Sequence, residues 1–179
     1  KQVLTGAWDE TIMLWDPATG ALLKRLMGHV GTIEAVAFTP DGKSIVSVSS
    51  DMTVRSWNSS SGEVQAVGGQ LRIAGTGDAG HRWAAISPGT EHALIRDAAG
   101  AAVYDAGTGK RVANLVDFPS SCSRAAFSHD GRLLACAGQE GAAFVWNAES
   151  GQRISTFHGH RGELNDVSFS PNGDVLLTA

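Results

Sequence analysis

The chain has 179 residues, 42% of them hydrophobic and 18% charged, a length and balance that suit one domain with a real core. Its formal net charge is −4 and its basic residues are scattered singly, which gives no electrostatic reason to expect a nucleic-acid partner. No stretch approaches the roughly 18 apolar residues that a membrane span needs, so no membrane partner is expected, and the 22 glycines point to many tight turns.

No leader is visible, but the chain starts at Lys1 without an initiator Met, so both ends are read as open to extension. The first phrase, TIMLWDPATGALLKRLMGH from Thr11 to His29, is an apolar run ending in an aromatic, a polar turn with Gly and a second mixed run. It returns at Thr53, Ala101 and Ala142, which puts Trp15, Trp57, Tyr104 and Trp146 at equivalent places, 42, 47 and 42 residues apart. A second marker recurs as TPDG at Thr39, SPGT at Ser87, SHDG at Ser128 and SPNG at Ser170. Runs rich in β-branched or small residues lie on either side of it, at 32–38, 44–50, 132–138 and 163–169, and read as strands. One unit is therefore strand a, a Pro-Asp-Gly turn, strand b, an Asp-containing turn, strand c ending in the aromatic, a turn closed by Gly, and strand d. No window sustains a helical period, so the expected class is all-β.

The third unit departs furthest from this plan. Trp57 to Pro88 is 31 residues where Trp15 to Pro40 is 25, an insertion of six in the d–a connection, between about Gly68 and His81. Tyr104 takes the Trp place, and Leu94 and Ala98 fall where other units carry Ser and Asp. The insertion contains GTGDAG, Gly75 to Gly80, a literal G-x-G-x-x-G. A phosphate cradle needs a helix N-terminus next, and a strand follows instead, so a long loop is the better reading. HGH at His158 to His160 has no Cys, Asp or Glu at ligand spacing, and no nucleophile sits beside an activating base. Neither metal, cofactor nor catalysis is expected. Cys122 and Cys136 make no disulfide framework and are read as two buried thiols in a reducing compartment, hence a cytoplasmic chain.

Four-stranded units of this length with Gly28-His29 and Gly159-His160 before them and Trp15-Asp16, Trp57-Asn58, Tyr104-Asp105 and Trp146-Asn147 within them resemble the WD-repeat β-propeller family. The resemblance runs over nearly the whole chain and its Ala- and Gly-rich units look bacterial. It implies an incomplete ring of about four blades: a partial blade at 1–27, blades at 28–67, 68–116 (degenerate) and 117–157, and a partial blade at 158–179. It also implies a hydrogen-bonded group inside each blade. The second blade has the full set, His29, Ser47, Asp51 and Trp57. The first keeps Thr5, Asp9 and Trp15, the fourth keeps Trp146 with Cys136 and Glu140 substituted, and the last keeps His160 with Thr178.

The function the family implies is a non-catalytic scaffold that binds a protein or peptide partner on the face carrying the d–a and b–c loops. Counting along the units assigns Trp8, Glu34, Ser50, Arg82, Gln139 and Asn165 to that face, with Asp78 and His81 in the adjoining loop. Trp8 either folds onto its own blade or serves as an aromatic anchor for the partner, a role in which tryptophan is enriched. The competing reading is a propeller enzyme, or a sensor segment of a larger protein with its activity elsewhere. Open blade edges would additionally favour self-association.

Overall fold

Glycine and Asx turns every ten residues or so leave this backbone little to form except hairpins, and hairpins are what it forms. In the computed structural model the described residues are 1–51, 53–67, 83–89, 91–97, 100–106, 108 and 110–179. Among them the chain makes seventeen strands and no helix. The first sheet has three: β1 (Val3–Gly6), β2 (Ile12–Trp15) and β3 (Leu22–Leu26). Three four-stranded sheets follow. They are β4 (Ile33–Phe38), β5 (Ser44–Ser49), β6 (Val54–Asn58) and β7 (Val64–Val67); β8 (Trp83–Ile86), β9 (His92–Asp97), β10 (Gly100–Asp105) and β11 (Arg111–Asn114); and β12 (Arg124–Phe127), β13 (Leu133–Ala137), β14 (Ala142–Asn147) and β15 (Arg153–His158). The hairpin of β16 (Val167–Phe169) and β17 (Leu176–Thr178) ends the chain. Every pairing is antiparallel and runs in chain order within its sheet.

The strand-c aromatics share a geometry that the bare spacing does not display. In all four c–d pairings the register slips immediately before the aromatic, between Leu14 and Trp15, Ser56 and Trp57, Val103 and Tyr104, and Val145 and Trp146. Such bulges bend and twist the strand locally. The next residue then caps the turn. Asp16 accepts from the Ala18 N–H at 2.9 Å, Asn58 from Ser60 and Ser61 at 2.9 Å, Asp105 from Thr108 at 2.6 Å, and Asn147 from Ser150 at 2.8 Å. Only one acceptor oxygen is required, so Asp and Asn serve equally after the aromatic. At the same end of the blades, Thr39, Ser128 and Ser170 donate to Asp41, Asp130 and Asn172 and lock three of the a–b turns.

Packing between sheets supplies the core. Because side chains alternate along a strand, Ile45 in β5 joins Ile12, Leu14 and Trp57 against the first sheet, whereas Val46 and Val48 join Ala93, Ile95 and Tyr104 against the third. Likewise β13 sends Leu134 and Cys136 back to Leu94 and Val103, and Ala135 and Ala137 forward to Leu164 and Val167. The innermost strands touch in succession, β1 to β4, β4 to β8, β8 to β12 and β12 to β16. Among the described residues β1 pairs with β2 and β17 with β16, so the sheets form an open arc.

Two expectations need amending. Strand a of the last unit is ordered as a ladder only from Val167, because the N–H groups of Asn165 and Asp166 both turn to the single carbonyl of Ala179. Cys122 and Cys136 are buried, at 2% and 0% exposure, but they are not free thiols: they are joined in a disulfide. The a–b hairpin folds back across their separation of 14 residues and brings their Cα atoms to 5.9 Å, inside the range a disulfide spans. Sequence distance alone hides that approach.

Candidate interaction face

The loop end of the second blade is built around one histidine. His29 lies in the connection from β3 to β4, and its ring reaches Ser47 in β5 and Asp51 in the b–c turn. His29 Nε2 is 2.8 Å from Ser47 Oγ, and Nδ1 is 2.8 Å from Asp51 Oδ2. The Trp57 indole N–H donates to the same Ser47 oxygen at 2.8 Å. One proton arrangement satisfies them all: indole to hydroxyl, hydroxyl to Nε2, and Nδ1–H to the carboxylate. Asp51 also accepts from the Val30 N–H at 3.0 Å and the Thr53 hydroxyl at 2.7 Å. The Ser49 hydroxyl donates to the Gly31 carbonyl at 2.9 Å. These bonds tie the d–a connection to the b–c turn, so the network positions the face while remaining behind it.

Electrostatics follow from burial. Burial would raise the Asp51 carboxyl, but the hydrogen bonds from Thr53, Val30 and His29 outweigh it and hold it at about 2. Burial pushes the His29 imidazole below its ordinary value, and the neighbouring carboxylate only partly offsets this. An unfolded histidine takes its proton near pH 6.5, before the folded one does. The stability supplied by neutral His29 is therefore present above that pH and lost below it. That from Asp51 is present above 3.8 and lost toward about 2. Urea midpoints taken between about pH 7.5 and 5 should fall more for the unaltered chain than for His29→Gln. Parallel curves would contradict this assignment.

The other blades use reduced versions. Trp15 donates to Thr5 at 2.9 Å, and Asp9 accepts from the Thr11 N–H and hydroxyl. His160 Nε2 lies 2.8 Å from Thr178 Oγ1. In the third blade the Tyr104 hydroxyl accepts from Arg111 at 3.2 Å. Trp146 has Cys136 in the Ser place and sends its N–H to the Val116 carbonyl instead, at 2.8 Å.

The residues assigned to the face fall into three groups. Trp8, in the turn between β1 and β2, is 90% exposed, and Gln139 and Asn165 are exposed as well. Glu34 and Ser50 are half-buried. Glu34 is the residue inserted by a bulge between Ile33 and Ala35, and the Ser50 N–H bonds the Thr32 carbonyl. Asp78, His81 and Arg82 lie outside the described residues, as does the insertion that carries the first two. Sequence reading missed Met27 and Val30, which are 70% and 77% exposed. Their segment starts beside Ile12, which pairs with Leu26, and ends where the Ile33 N–H meets the Ala7 carbonyl. It therefore flanks the turn that presents Trp8. Apolar residues on both sides of a Gly-His turn were the available signal. Among the described residues no three His, Cys, Asp or Glu side chains are grouped to hold a metal.

The family model for the WD domain, G-beta repeat, matches residues 20–58, 109–147 and 151–179, more than half of the chain. The chain belongs to the WD-repeat family. The stretch this model leaves unmatched between 58 and 109 holds most of the blade in which Tyr104 and Leu94 replace the usual Trp and Ser. WD-repeat relatives cover the chain end to end. It is 29% identical over 99% of its length to Pre-mRNA-processing factor 19 homolog 2 of Arabidopsis thaliana, and spans 34% of that protein. It is 29% identical, also over 99% of its length, to Autophagy-related protein 16 of the same plant, again 34% of the relative. A shorter segment, 31% of the chain, is 54% identical to Nuclear distribution protein PAC1 of Tuber melanosporum. These matches lend nothing to the bacterial look of the blades. The chain spans about a third of the length of the first two relatives. WD-repeat proteins of this kind serve generally as protein-interaction scaffolds.

Proposed function

We propose that this chain is a non-catalytic scaffold whose d–a/b–c loop face binds a protein or peptide partner, with Trp8 as its anchor. The observation that carries the reading is the 90% exposure of Trp8 on a turn whose neighbour in space is fastened by the His29 network. A large rigid aromatic held out from a stiff frame loses little conformational freedom when covered. Exposed Met27 and Val30 widen the apolar centre, while Glu34 and Gln139 supply polar groups around the arc, the arrangement of a binding patch with a wetter rim. Side chains differ from blade to blade at these positions while the frame repeats, as suits recognition built on a scaffold.

Trp8→Ala should weaken partner binding by about 2 kcal/mol, roughly thirty-fold, without changing the melting temperature. Asp41→Ala and Glu149→Ala, in the a–b and c–d turns at the opposite end, should leave binding within twofold. Retention of proteins by the immobilised chain and its variants, followed by titration of the retained species, reads this out. Binding that survives Trp8→Ala but is lost with the opposite-end variants would place the surface elsewhere.

A further inference from the structure

The fourth blade lacks what fastens the second, and what replaces it is covalent. Counted back from the strand-c tryptophan, the positions of Asp51, Ser47, Ile33 and His29 correspond to Glu140, Cys136, Cys122 and Phe118. The packing repeats while the chemistry changes. Trp57 packs on the His29 ring with centroids 5.8 Å apart, and Trp146 packs on the Phe118 ring at 5.3 Å. Where His29 links the d–a connection to strand b through Ser47, the disulfide links residue 122, just before β12, to residue 136 in β13. Asp51 is buried and holds four donors, whereas Glu140 is exposed. The indole N–H, having lost its hydroxyl acceptor, is satisfied by Val116. Phe118, Cys122, Cys136 and Trp146 thus form one apolar group where the second blade has a polar one.

We propose that the Cys122–Cys136 disulfide is the fourth blade's covalent replacement for the polar network, which makes the stability of this blade, unlike that of the second, answer to thiol–disulfide exchange. Formation removes two protons and two electrons from the two thiols. A small-molecule disulfide such as glutathione disulfide accepts them and leaves as two thiols. With both sulfurs buried, exchange requires the blade to open locally, so the link is made on folding and persists afterwards. Its loss leaves the d–a connection of residues 116–123 without a fastening of the kind that Asp51 gives residues 28–31. That connection carries Ser123, whose hydroxyl bonds the Leu164 carbonyl of the next sheet at 3.2 Å, so the effect reaches across the blade boundary.

The chain has two cysteines, so a reductant acts on this pair alone. The full chain, equilibrated with glutathione disulfide and then unfolded in urea with iodoacetamide, should gain no adduct by intact mass, and two after reduction. The reduced chain and Cys136→Ser should each melt about 5 °C or more below the oxidised chain. A triple variant, Phe118→His with Cys136→Ser and Glu140→Asp, rebuilds the polar set and should recover at least half of that loss, with no response to reductant. Two adducts on the unreduced chain, or identical melting of oxidised and reduced protein, would overturn the proposal. So would a triple variant that melts no higher than Cys136→Ser, since the two fastenings would then not be equivalent.

Discussion

Asp51→Ala should destabilise the chain by about 3 kcal/mol, because one deletion orphans several donors at a buried site. The Asp51 side chain is 3% exposed and its partner His29 is fully covered. Without the carboxylate, the His29 Nδ1–H, the Val30 N–H and the Thr53 hydroxyl each lose an acceptor that water cannot easily replace. Asp9 occupies the same place in the first blade but is exposed and serves only Thr11. Asp9→Ala should therefore move the urea midpoint far less, with the slope of the transition unchanged in both variants. Equal shifts for the two aspartates would mean that burial, and not the shared sequence position, has been misjudged as the source of the effect.

Gly151→Ala should cost a similar amount, about 3 kcal/mol, through backbone geometry. Gly151 closes a c–d turn at φ +70°, where an L side chain is strained. A Cβ there also runs into the carbonyl of Asn114 in the preceding blade, which lies close because the Val116 N–H bonds the Gly151 carbonyl at 2.9 Å. Gly20 holds the equivalent position in the first blade at φ +72° with open space around it. Gly20→Ala should therefore show only the conformational part, about 1 kcal/mol. Thermal melts of the two variants separate strain from collision, and a Gly151→Ala protein as stable as Gly20→Ala would remove the collision from the account.

Those two contrasts also mark how far the sequence alone could be read. Turn glycines, the aromatic at the end of strand c and the Asx residue after it are local features, so the all-β repeat was legible from spacing. The group of His29, Ser47, Asp51 and Trp57 could be named together because the resemblance to WD-repeat blades implies it, not because spacing alone does. The bulge ahead of every aromatic was not legible, since it depends on how strand d pairs. Nor was the choice of Val116 as the acceptor for Trp146, which comes from a connection thirty residues upstream. The cysteines were misread for the same reason: their meaning rests on where the hairpin folds back. Of the candidate face, the position of Trp8 could be counted out, but its exposure, and the apolar pair of Met27 and Val30 beside it, depend on the neighbouring segment.

Each apolar cluster in this molecule is shared by two successive sheets, and that has a bearing on how the chain is born. A ribosome delivers the blades in chain order, yet Val46 and Val48 have no cover until Ala93, Ile95 and Tyr104 have been synthesised. The same holds for Leu94 and Val103, which wait for Leu134 and Trp146. At every stage of synthesis the newest sheet therefore presents a greasy face to its surroundings, and translation itself always runs one blade ahead of burial. A pause in translation after a completed sheet leaves that face open for its whole duration, which makes the growing polypeptide a standing client for chaperones that bind apolar surface.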